Sequence, residues 1–165
     1  MTYTTYQILS IEKQNLLSLE EVKSYLRIIE DYDDKLLIEL TLSAICSAEK
    51  FTRLSLLTRN IEVKSHGDTK SITLPLVPVI KVNNISNSER VLKKEEYGLF
   101  AENIKFSNNN KDITVSYTSG IQNIESDLKQ GILIHVASMY DKELLNFSFP
   151  KEAFSLYQTY RKILI

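Results

Sequence analysis

Two histidines, His66 and His135, are the residues of this chain best suited to move protons near neutral pH. Their surroundings differ. His66 belongs to a His66-Gly67-Asp68 turn signal, whereas His135 lies in the apolar run Ile132–Val136, where a lone histidine reads as a hydrogen-bonded core or interface residue. The acidic run Glu30-Asp31-Tyr32-Asp33-Asp34 offers oxygens to a hard cation, but it lacks the glycine turn and distal glutamate of a calcium loop. Acids just ahead of a helix serve capping and dipole compensation instead. The sequence has no His/Cys spacing for zinc, no glycine-rich phosphate loop and no nucleophile elbow. The residues therefore predict a non-enzyme without catalytic residues, metal or cofactor.

Nine tyrosines offer stacking surfaces for bases. Tyr25, Tyr97, Tyr117, Tyr140, Tyr157 and Tyr160 fall in regular elements, however, where such rings line a core edge or a protein interface. Lys93-Lys94 is followed at once by Glu95-Glu96, and the whole chain carries 20 basic against 21 acidic residues, so no field gathers a polyanion. At 165 residues, 43% hydrophobic and 25% charged, the chain fits one domain that buries its core without staples. The single cysteine, Cys46, stands among Leu42, Ala44, Ile45 and Ala48 and reads as a small buried hydrophobe. The opening MTYTTYQILS lacks the basic start and apolar run of a secretory signal, and no segment reaches the ~18 apolar residues of a bilayer span. A soluble protein made in a cytoplasm, with no membrane partner, is expected.

Four helices are predicted. Ser18 before Leu19-Glu20-Glu21 reads as an N-cap, opening a short helix to about Ile28 with Val22, Tyr25 and Leu26 on one face. A long helix follows from about Asp34 to Phe51 or Arg53, ~27–30 Å at 1.5 Å per residue. Its stripe is Leu37, Leu40, Thr41, Ala44, Ala48 and Phe51, and Glu39, Glu49, Lys50 and Arg53 remain as solvent or interface groups. A third helix runs from about Glu125 to Leu144 or Leu145 on Leu128, Ile132, Val136 and Met139. Within it Gly131, costing up to ~1 kcal/mol against alanine, marks close packing against the long helix. Pro150 opens the last helix, which carries Ala153, Phe154, Tyr157 and Arg161.

Between the second and third helices the pattern turns to β. Thr58–Lys64 and Ser71–Leu74 read as a hairpin around His66-Gly67-Asp68, Val79–Ile85 alternates, and Tyr97–Glu102, Ile104–Phe106 and Ile113–Tyr117 read as short strands. Ser107-Asn108-Asn109-Asn110-Lys111 reads as an exposed hairpin tip. The expected fold is α+β: a core of packed α-helices with a small antiparallel β unit inserted at about 58–117, in a single domain spanning 1–165.

The order of the short signals resembles the head–tail connector (adaptor) proteins of tailed bacteriophages and prophages, over roughly Ser18 to Arg161. That family opens with a helix like LEEVKSYLRI (Leu19–Ile28), then an acidic pair and a long helix ending near an aromatic-Thr-Gly-Arg turn. Asp33-Asp34 and Phe51-Thr52-Arg53 match, without a glycine after Thr52. Leu74-Pro75-Leu76-Val77-Pro78-Val79 matches a Leu-Pro-x-x-Pro-Val segment, and Val115-Ser116-Tyr117-Thr118-Ser119-Gly120 matches a strand ending Val-x-Tyr-x-(Ala/Ser)-Gly. Val136-Ala137-Ser138-Met139-Tyr140-Asp141-Lys142-Glu143 is close to the family's third-helix pattern, one residue shorter, and Pro150 with Tyr160-Arg161 completes the series.

The resemblance implies a non-enzymatic virion protein, assembled in the bacterial cytoplasm and resident in the virion neck. It would form a closed homo-oligomeric ring below the portal protein, continue the DNA channel and dock a tail-completion or stopper protein. DNA would be only a non-specific passing strand, which suits a net charge of −1 and a surplus of acids over bases in the first 55 residues. Candidate docking residues toward the portal or a neighbour are Tyr157, Tyr160, Arg161, Ile163, Leu164 and Ile165. Candidate ring-interface charges are Glu39, Glu49 and Arg53. The competing readings are a small cellular protein-binding domain that forms no ring and, further off, a hydrolase with a site assembled from distant residues.

Overall fold

The computed structural model describes residues 3–12, 16–141 and 150–162. Its elements are β1 (Tyr3–Ile11), α1 (Leu19–Leu26), α2 (Asp34–Thr52), β2 (Arg59–Thr73), β3 (Val79–Ser86), β4 (Tyr97–Phe100), β5 (Asn103–Ser119), α3 (Ser126–Tyr140) and α4 (Lys151–Thr159), with a single 3-10 turn at Lys94–Glu96. They divide into a unit that holds the strands and a unit that holds the helices.

The strand unit is a five-stranded antiparallel sheet in the order β1-β2-β5-β3, with β4 paired to one end of β5. Alternation along β2 and β5 sends Ile61, Val63, Ile113, Val115 and Tyr117 to one face, where they join Ile72, Leu74, Ile85, Ile104 and Phe106 in a core of the unit's own. Asn60, Glu62, Ser116 and Thr118 alternate with the buried residues and form the polar face.

This overturns the expected fold class. The sheet is not a small insertion in a helical core: it has its own core, and it recruits the N-terminal segment as β1. Two bulge-bearing strands account for the misreading. The His66-Gly67-Asp68 signal is no turn, because β2 runs straight through it, with Gly67 at φ 86 in a register shift between Ser65 and Asp68 and its N–H donating to Asp112 Oδ1 at 2.9 Å. A glycine of positive φ serves a bulge as readily as a turn. Likewise Ser107–Lys111 is no hairpin tip but part of the 17-residue β5.

Gly120 closes β5 with φ 138, and its N–H donates to the Pro78 carbonyl at 3.0 Å. A Cβ there would lie 2.8 Å from Thr58 Cα. The Ser-Gly end of the strand motif thus serves a close backbone approach.

In the helical unit, Ser18 and Glu21 form a reciprocal capping box at the start of α1. Lys23 Nζ donates to Asp31 at 2.5 Å and Asp34 at 2.8 Å, tying α1 to the start of α2. Buried positions on α2 are Leu37, Thr41, Ala44, Ile45, Ala48 and Thr52, while Leu40 is half-buried at the flank of the stripe. Cys46 is exposed, contrary to expectation: one position past Ile45 it is turned about 100° away from the stripe, beside half-exposed Leu42. α3 packs on α2 and α4, burying Leu128, Ile132, Leu133 and Val136.

Gly131 meets α4 rather than α2, since a Cβ there would stand 2.8 Å from the Tyr157 ring. The third helix is described only to Tyr140, so Leu144 and Leu145 lie outside the described residues.

Candidate functional site

The two histidines lie in different units. His66 is stacked on Tyr3 across the β1–β2 ladder, with ring centroids 4.6 Å apart and planes 24° from parallel. His135 belongs to the other unit. It is 6% exposed on α3, its ring centroid 6.3 Å from that of Tyr157, and burial lowers its pKa below 6.5. Among the described residues no group of three or more His, Cys, Asp and Glu side chains could hold a metal ion. The acids of the Glu30–Asp34 run that looked like ligands are occupied: Asp31 and Asp34 by Lys23, and Asp33 by the Tyr140 hydroxyl, which donates to it at 2.5 Å. That carboxylate pushes the Tyr140 pKa up to about 12.

The candidate docking residues divide. Tyr157 is fully buried, 6.4 Å from the Phe51 ring, so it packs α4 rather than presenting a surface. Tyr160 is half-buried at the end of α4, and Arg161 is exposed, its guanidinium 5.3 Å from the centroid of Phe51. The Lys162 N–H donates to the Thr52 carbonyl at 2.8 Å, which fastens the chain after α4 to the end of α2. Ile163, Leu164 and Ile165 lie outside the described residues.

The candidate ring-interface charges also separate. Glu39 is exposed on α2. Glu49 is half-buried, and its Oε1 accepts the Leu56 N–H at 2.7 Å, a local fastening of the turn that follows the helix. Arg53 is exposed and takes the left-handed conformation, φ 62, that ends α2. It stands where the connector pattern has glycine, and adopts the backbone shape that glycine supplies most cheaply.

On the strand unit the polar face holds a linked row. Asn60 Nδ2 donates to Ser10 Oγ at 3.0 Å, Thr118 Oγ1 donates to Asn60 Oδ1 at 2.8 Å, and Asn83 Nδ2 donates to Thr118 Oγ1 at 3.1 Å. The row floors an open groove of about 820 Å³ bounded by Glu12, Lys81 and Gln122. Hydroxyls and amides bonded to one another provide neither a nucleophile nor a base.

The surface that sequence reasoning missed is β1. All nine of its residues are exposed, among them Tyr3 at 59%, Tyr6 at 55%, Ile8 at 45%, Leu9 at 54% and Ile11 at 53%. Its only local signal is the short alternation Tyr6-Gln7-Ile8. A monomer exposes single apolar side chains freely, but a contiguous set marks an interaction surface.

No protein-family model and no curated protein matches the chain. Solved structures do. A chain of the neck of an empty gene transfer agent particle, computed with C6 symmetry, superposes with a TM-score of 0.77 at 17% identity, covering 98% of this chain and 97% of that one. The fold is that of a particle-neck chain. A chain from the neck of a native particle, computed with C12 symmetry, gives 0.74 at 17% identity with 98% and 97% coverage. A chain from the virion of a native gene transfer agent particle gives 0.72 at 17% identity with 97% and 96% coverage. At the level of fold, these neck structures bear out the resemblance to head–tail connectors. Among the described residues no helix is long and apolar enough to cross a membrane.

Proposed function

We propose that this chain is a structural protein of a virion neck, a head–tail connector that assembles as a closed ring below the portal protein. The ring extends the DNA channel and docks a tail-completion or stopper protein. It assembles in the bacterial cytoplasm, works without a cofactor and catalyses no reaction. The observation that carries this reading is the fold match to neck chains along nearly the full length of both partners. Two features support it. The net charge of −1 lets DNA pass without the multiple phosphate contacts that would hold it, and an exposed edge strand carrying five large apolar side chains gives identical subunits a surface to share.

The test is to purify the chain with its portal protein and image the product by electron microscopy. A ring of uniform diameter stacked on the portal is expected, and particles made without the chain should be DNA-filled heads lacking tails. A chain that binds a cellular protein but never forms a ring or joins the portal belongs to the competing small-adaptor class.

A further inference from the structure

We propose that the outer edge of β1 pairs with the outer edge of β3 in a second copy of this chain, so that one protomer's sheet continues into the next. This rests on the ring reading above and names the surface that would make it. β1 ends the sheet, with β2 on its inner side. Protein edges are ordinarily blunted by charge, proline or short length, and β1 has nine residues with neither a charge nor a proline, interrupted by one register shift at Leu9.

The side chains point the same way. Tyr6 and Ile8 stand opposite Val63 and Ile61, both fully buried, so the core row of the sheet runs to this edge and stops in the open. At the far edge, Val79 and Val82 of β3 are half-buried against the same core, while Lys81, opposite Thr118, lies on the polar face. Joining the two edges therefore makes one unbroken apolar row. At about half exposure, the five large apolar residues of β1 present on the order of 500 Å². The edge of β3 covers part of that area, and backbone hydrogen bonds between the two strands supply the rest of the joint.

Strand direction decides which copy-to-copy joint is possible. Every pairing along β1-β2-β5-β3 is antiparallel, so β3 runs opposite to β1. A neighbour related by simple rotation then brings its β1 antiparallel to this chain's β3 with no reversal. Such a joint is heterologous and closes into a ring, whereas β1 against β1 would end at a dimer. The turn after β3, where Ser86 bridges Val91, confines the available β3 edge to residues 79–84.

The experiment uses the full chain with Cys46→Ser. Adding Ile8→Cys together with Val79→Cys or Val82→Cys and oxidising the assembled protein should give a ladder of covalent multimers on a denaturing gel. Each cysteine alone should leave monomers. Separately, Tyr6→Lys with Ile8→Lys should drop the sedimenting mass from ring to monomer with an unchanged far-ultraviolet circular dichroism spectrum, since both positions are already about half exposed. Dimers from Ile8→Cys alone would show β1 pairing with itself and overturn the proposal. Rings of normal mass from the lysine variant would overturn it too, while leaving the ring reading intact. A wild-type chain that stays monomeric at every concentration, with portal present, overturns both.

Discussion

The Tyr117 hydroxyl grips the backbone of Leu76, accepting its N–H at 3.1 Å and donating to its carbonyl at 3.2 Å. These residues belong to two segments that stood apart in the sequence, the tyrosine of Val115–Gly120 and the centre of the proline-flanked Leu74–Val79. Prolines at 75 and 78 deny the segment a regular strand ladder, so a side chain supplies its hydrogen bonds. Burial pushes the Tyr117 pKa up to about 12, which keeps the donor proton in place.

Tyr117→Phe leaves one backbone donor and one acceptor of Leu76 without this partner. The expected loss is about 1–3 kcal/mol, measured by urea denaturation. An unchanged midpoint would mean that water takes over both bonds.

Gly131→Ala should destabilise, against the helix-propensity rule that favours alanine by up to about 1 kcal/mol. The new methyl would stand 2.8 Å from Tyr157 Cε1 and 3.3 Å from Leu156 Cβ, so α4 must shift or the ring must turn. Overpacking of this kind costs about 1–3 kcal/mol. A higher melting temperature in the alanine variant would show that the α3–α4 contact yields easily.

His135 makes stability depend on pH. Its folded pKa lies below 6.5 because burial disfavours the charged ring. Above 6.5 the ring is neutral in both states and its contribution is intact. As pH falls below 6.5 the unfolded chain takes up the proton first, so stability declines until the folded ring also titrates. Denaturation midpoints at pH 7.5 and 5.5 should therefore differ more for the wild type than for His135→Gln, and equal differences would remove His135 as the cause.

Arg53→Gly separates folding from assembly. At φ 62 the arginine carries the strain of a left-handed residue, which glycine relieves at some cost in unfolded-state entropy, so the net change should be a gain of no more than about 1 kcal/mol. If the guanidinium takes part in a ring interface, the variant melts no lower than wild type yet assembles poorly. Normal rings with the glycine would discard Arg53 as an interface charge.

Helix ends were legible because their chemistry is local. Ser18 with Glu21, Asp34 at the head of α2 and Pro150 ahead of α4 all mark starts where the structure has them. The sheet was harder to read because its long strands bend through bulges whose residues imitate turns, as Gly67 and the Asn108–Asn110 run do. Leu40 shows a finer limit: helical spacing gives the buried arc, but only the packed neighbours decide that Leu37 is its centre and Leu40 its flank. β1 was missed because an edge strand with both faces open has no burial pattern to set its face. The candidate site followed the same division, since a surface recognised by shape and exposure has no residue signature of its own.

The C-terminal segment supplies the last test. The Lys162 N–H bond to the Thr52 carbonyl holds the chain against α2 as far as that residue, and the following Ile163-Leu164-Ile165 serve either this protomer or another. Ending the chain at Arg161 removes one backbone hydrogen bond, about 0.5–1.5 kcal/mol, together with those three apolar residues. If the three dock on the portal or a neighbouring subunit, the shortened protein folds with that small loss, fails to join portal-containing particles and leaves DNA-filled heads that leak or stay tailless. If they instead complete the protomer's own core, the loss grows to several kcal/mol at about 1.5–3 kcal/mol for each buried aliphatic side chain, and the surviving folded protein still assembles. Thermal melts set beside particle incorporation distinguish these outcomes, because docking predicts a large assembly defect with a small stability change and self-packing predicts the reverse.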